Sequence, residues 1–144
     1  MIPLYVLVVS FVMFRASGVA GFAYFSEWQS SLQAAVAVML LVAASAHWGS
    51  KRRDLIRMVP PAFPRPDLIV TITGLLEIAG AAGLLFPVTS RIASICLALL
   101  LVAMFPANIK AANESLTLGG RPVPKLPVRT LLQLIFIAAV LLAG

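Results

Sequence analysis

Five apolar runs, each close to the length needed to cross a bilayer, follow one another along this chain with only short polar breaks between them. A spanning helix needs about 20 mostly apolar residues. The runs cover roughly 2–25, 32–48, 68–86, 91–107 and 128–144. They are continuous, whereas the strands of a membrane barrel alternate polar and apolar residues. The expectation is an all-α polytopic transmembrane bundle of about five spans. Composition agrees: 61% of the residues are hydrophobic and 11% are charged. Soluble domains carry about 45–50% and about 25%. Disorder is excluded, because it needs low hydrophobicity and high net charge.

The breaks between the runs carry matching punctuation. The polar stretch 26–31 separates the first two runs. Pro60-Pro61 and Pro64-Arg65-Pro66 cannot continue a helix, and Pro87 ends the third run. Thr89-Ser90 can cap the fourth helix. Pro106 and Asn108 are expected to close that helix, and residues 119–124 read as an irregular loop. The first run lacks a basic leading segment and is interrupted by Arg15, so it reads as a retained span.

Charge sets the expected orientation. The net charge is +6, from 11 Lys and Arg against 5 Asp and Glu. Lys51, Arg52, Arg53, Arg57 and Arg65 lie between spans two and three. Lys110, Arg121, Lys125 and Arg129 lie between spans four and five. Five spans place both segments on one side, and the positive-inside rule makes that side cytoplasmic. The N-terminus is then inside and the C-terminus outside, in a bacterial cytoplasmic membrane. Residues 51–59 could form a short interfacial helix, with Leu55, Ile56 and Val59 toward lipid. No basic-aromatic face suited to nucleic acid is present.

Ionisable groups within spans are costly and mark candidate sites. Arg15 and Glu77 both fall near the expected midplane and could pair. Thr73, one turn before Glu77, could donate a hydrogen bond to its carboxylate. Gly74, Gly80, Gly83 and Ala79, Ala81, Ala82 keep that helix thin, so that helices or a flat ligand can approach. His47, the one histidine, lies near the inner end of span two. It could shuttle a proton, ligate a haem with Met58 or Met104 as second ligand, or, as the default, hydrogen-bond the adjacent loop. A bis-histidine haem within one chain is excluded. Asn108 is expected at the level of His47, in a polar cluster with Arg65 and Asp67. Gln133 should face the bundle interior. Cys96, the one cysteine, can form neither an internal disulfide nor a metal site alone and is expected to be inert packing. The candidate ligand-binding set is Glu77, Thr73, Arg15, His47 and Asn108, with no metal.

The ordered motifs Ala46-His47-Trp48, Met58-Val59-Pro60, Thr73-Gly74-Leu75-Leu76-Glu77-Ile78, Gly83-Leu84-Leu85-Phe86-Pro87, Phe105-Pro106-Ala107-Asn108 and Leu132-Gln133 resemble the DoxX-like membrane proteins. Family members often have His-Phe where this chain has His47-Trp48. The resemblance covers residues 32–144 and implies a four-helix core, with 1–27 as an added N-terminal helix. It implies a redox-associated subunit or accessory factor. Such a factor would bind a lipophilic molecule, with quinone as candidate cofactor, or a partner near Glu77. The expected partners are the bilayer and a membrane redox protein or further copies of the chain. The absence of paired cysteines argues against autonomous thiol chemistry. Two other classes remain: a structural or chaperone-like membrane protein with no small-molecule site, and an embedded lipid-modifying enzyme using Glu77 for acid–base work.

Overall fold

A computed structural model describes residues 2–25, 27–118 and 120–144. Ser26 and Gly119, on which parts of the break and loop expectations fall, lie outside the described residues. The chain is an all-α bundle. Helix α1 spans Ile2–Val19, followed by a 3₁₀ turn at Ala23–Phe25, then α2 at Trp28–Ser45. A short α3 occupies Arg52–Met58, and α4 covers Pro66–Leu85. Helix α5 runs Ser90–Asn113 and α6 Leu126–Ala143, with a two-residue hairpin between them. All helices but α3 are long and apolar enough to cross a membrane.

Most boundaries follow local chemistry. Pro66 and the proline after Leu126 sit in the first turns of α4 and α6, where a missing N–H costs nothing. Three sequence expectations change. Thr89 stands at the start of α5 but makes no side-chain cap bond, its hydroxyl donating instead to the Gly83 carbonyl at 2.8 Å. Helix α5 does not close at Pro106 but carries it inside and continues to Asn113. The loop 119–124 contains part of a small ladder pairing Thr117 with Pro122 and Leu118 with Arg121.

Helices α2, α4, α5 and α6 form a closed ring, each packed on the next, with α6 returning to α2. Helix α1 lies outside the ring, against α2. Central α2 is built for this place. Ala34, Ala35, Val36, Ala37, Met39, Leu40 and Ala44 are buried, and small side chains let three neighbours approach its backbone. Leu84, Leu97 and Val140 are the large apolar side chains that meet it in the core. The outward faces carry exposed apolar groups such as Leu75, Ile92, Leu99 and Leu134. That is the inverse of a soluble bundle and matches a lipid surround.

Polar groups stitch the ring across helices. Gln133 is buried, as expected, and its amide donates to the Leu101 carbonyl of α5. At the opposite end from α3, Gln29 and Gln33 of α2 donate to the carbonyls of Gly144 and Ala143, at 3.2 and 2.8 Å. Such interhelical bonds average only about 0.6 kcal/mol in membranes. Gln133→Leu should therefore fold and lose about 0.5–2 kcal/mol. Thermal unfolding in a mild detergent measures this.

Candidate functional site

Helix α4 buries one stripe: Val70, Gly74, Glu77, Ala81 and Leu84. Their spacing of three and four keeps them on one face. In any apolar helix this stripe would be unremarkable, but here its middle member is a carboxylate, only 4% exposed. The stripe packs against α2 and the turn that follows it.

That turn is tightened by three-residue bonds from Ala46, His47 and Trp48 back to Ala43, Ala44 and Ser45. The tightening swings His47 inward, to 4% exposure. Its imidazole lies along the α4 stripe. Nδ1 is 2.7 Å from the Val70 carbonyl, and Nε2 is 3.7 Å from Glu77 Oε2. Gly74 forms the bed between them. A Cβ there would stand 2.8 Å from Trp48 Cη2 and 2.9 Å from His47 Cβ and Cγ. Helical side chains lean toward the helix N-terminus, so the Glu77 carboxylate reaches down toward the ring.

Arg52 locks the turn from outside. One nitrogen donates to the His47 carbonyl at 2.7 Å. Another donates to the Asp67 carbonyl at 2.9 Å and to Thr71 Oγ1 at 2.8 Å. The guanidinium fork thus joins the end of α2 to the start of α4 and fixes the ring against its stripe.

The hydrogen-bond pattern assigns protons. A carbonyl only accepts, so Nδ1 carries the hydrogen that faces Val70. Thr73 Oγ1 lies 3.4 Å from Nδ1 and donates to the same carbonyl at 3.1 Å. Nε2 is left to face Glu77. Glu77 Oε2 is buried and makes no hydrogen bond among the described residues. The 3.7 Å separation exceeds a direct hydrogen bond, so the two groups meet as an ion pair by distance. Burial pulls the imidazole pKa down. The approach of the Glu77 carboxylate, the Val70 carbonyl and the charge of Glu77 outweigh that pull and the repulsion from Arg52. The His47 value stands above its ordinary 6.5.

The sequence-predicted residues divide. His47, Glu77 and Thr73 come together, although Thr73 bonds Val70 instead of the carboxylate. Arg15 does not meet Glu77. It lies one turn from the end of α1, at the opposite end of α2 from His47, and donates to the Phe25 carbonyl at 3.4 Å. The reason is that α1 packs on α2, which stands between it and α4. Asn108 is not in a cluster with His47. Its Oδ1 accepts from Arg129 at 2.5 Å, joining α5 to α6. Of the other members expected there, Asp67 contributes its backbone carbonyl to Arg52, and Arg65 is exposed. Cys96 is exposed instead of packed inside. It lines an apolar groove of about 760 Å³ between α4 and α5, with Leu76, Gly80, Gly83 and Leu97. Gly74, expected to admit a close neighbour, takes the His47–Trp48 turn, whereas Arg52 had no expected place at the site. The Val70–Gly74–Glu77 spacing was the available signal for the bed at Gly74.

Two expectations follow. Gly74→Ala should lift the ring off its bed and cost about 1–3 kcal/mol, read by unfolding in detergent. A raised histidine pKa also fixes the sign of a pH dependence. The His47 contribution to stability is fully present below about 6.5 and fades as pH rises through the higher folded value. Melting temperature should fall across that window in the native chain. It should lose that component in His47→Gln.

Residues 36–143 match the family described as Domain of unknown function (DUF8561), and the chain belongs to it. No curated protein and no solved structure matches the chain.

Proposed function

We propose that this chain is an integral membrane protein whose His47–Glu77 pair holds the polar head of a lipophilic molecule, as a subunit or accessory factor of a redox-associated assembly. The observation that carries the reading is the buried Glu77 Oε2, which has no hydrogen-bond partner among the described residues and faces His47 Nε2 at 3.7 Å. Orphaned buried polar atoms are rare in folded proteins and point to a missing partner. The ordered resemblance to DoxX-like proteins supports the redox association. The basic end, by the positive-inside rule, is cytoplasmic.

The donor set suits a hydroxyl or carbonyl oxygen. A hydroxyl could donate to Glu77 Oε2 and accept from protonated Nε2, and a carbonyl could accept from Nε2 alone. A quinone, when bound, supplies an oxygen that changes from acceptor to donor on reduction. The chain's own part is to hold that oxygen and to lend or take one proton at Nε2. Arg52 and Gly74 position the ring that does so. In its chemistry the pair fits such a head. In space, the α4–α5 groove beside it fits an apolar chain, but Glu77 does not line that groove. The proposed contact is therefore limited to the polar head.

Native mass spectrometry of the chain, purified gently from its own membrane, tests the reading. A stoichiometric quinone or defined lipid is expected on the native chain and is expected to be lost in Glu77→Gln, with helicity unchanged. A native chain carrying only bulk phospholipid overturns the site and favours a structural role for the pair. Equal retention by Glu77→Gln does so as well.

A further inference from the structure

We propose that the basic end of the bundle carries a binding surface for anionic phospholipid headgroups, centred on Arg53, Phe63 and Arg65. The ring places the ends of α2 and α5 and the starts of α4 and α6 at one level. Nine of the eleven Lys and Arg residues lie there, against Asp54, Asp67 and Glu114. The whole formal excess of +6 is thus concentrated at one end of the molecule.

These cations divide by what they touch. Arg52 clamps the His47 turn, and Arg129 bonds Asn108. Lys110 donates to the Arg57 and Val59 carbonyls at 2.8 and 3.1 Å, capping α3. Arg57 pairs with Asp54. Arg53, Arg65, Arg121 and Lys125 are exposed and take part in none of the ion pairs among the described residues; of these, Arg65 lies in the proline-rich segment 60–66 and Arg53 in α3 just before it. Lys110 and Arg52 hold α3 and the start of α4 from either side, so the surface between them is fixed.

The segment 60–66 presents its side chains rigidly. Four of its seven residues are proline, each with φ locked. The Phe63 N–H closes a turn onto the Pro60 carbonyl at 3.1 Å. Arg65 takes φ 51°, a left-handed conformation that a side chain with a Cβ enters only at a cost. The following Pro66 restricts it further. Phe63, two residues before Arg65, is 48% exposed, and Trp48, in the His47 turn, is 45% exposed. Aromatic rings with neighbouring cations at the ends of apolar spans belong at the headgroup boundary. The spans themselves bring this surface to the lipid phosphates, so headgroups are the polyanion it meets first.

Each cation near an anionic surface contributes roughly a fivefold preference. The purified full-length chain is exchanged into detergent containing equal phosphatidylglycerol and phosphatidylcholine, and retained lipids are counted by native mass spectrometry. Phosphatidylglycerol is expected to be retained about twentyfold over phosphatidylcholine. Arg53→Gln with Arg65→Gln should bring the ratio close to one. Arg53→Lys with Arg65→Lys should keep most of it, as should Arg121→Gln with Lys125→Gln. A native chain without headgroup preference overturns the proposal. So does an equal loss from the Arg121/Lys125 variant, which would assign the effect to diffuse net charge. Capture of an acidic peptide in preference to phosphatidylglycerol assigns the surface to a protein partner and also overturns it. Topology signalling alone predicts no preference in the purified chain.

Discussion

A carboxylate halfway along an apolar helix must find a partner before that helix can leave water. Glu77 meets this constraint with a histidine that is not in a spanning helix at all, but in the tightened turn after α2. Much of the local architecture serves that contact. Gly74 has no side chain because the imidazole occupies the space. Val70 contributes its carbonyl, and Arg52 fastens the turn to the start of α4. A buried ion pair of this kind is weak evidence for stability, since its desolvation cost can match its attraction. Its value lies in specifying how α2 and α4 meet.

The rest of the polar chemistry sits at the two ends. At one end, glutamines of α2 reach the last carbonyls of α6. At the other, cations cap α3 and join α5 to α6. The middle of the bundle is left to small residues and hydrocarbon, interrupted by Glu77 and by Gln133, which bonds a carbonyl across the helix interface. Arg52 links the basic end to the His47 turn, and His47 in turn reaches toward Glu77 in the middle of α4.

The helical bundle and its spans were legible because continuous apolar runs with proline breaks leave few alternatives in a chain this short. Gln133 was legible for the same reason: a lone amide in such a run turns inward. The partner of Glu77 was not. Pairing Arg15 with Glu77 assumed adjacent helices and equal depth. The first helix in fact ends at Val19, which lifts Arg15 to one end, and α2 intervenes. Pro106 misled as a terminator because a helix packed on both sides can absorb one lost hydrogen bond. Val59, expected toward lipid, is buried because Lys110 draws the end of α3 onto α5. Each miss turned on helix order or tertiary contact, which spacing along the chain does not encode.

The site rests on His47 Nε2 facing the Glu77 carboxylate, at 3.7 Å. As the single histidine, His47 can be followed in ¹⁵N-labelled protein by its ring nitrogens alone, in micelles, across a pH titration. Nδ1 should stay protonated throughout, and Nε2 should titrate above the ordinary value and shift downward in Glu77→Gln. A titration that Glu77→Gln leaves unmoved, or a neutral form with its proton on Nε2 instead of Nδ1, would contradict this arrangement.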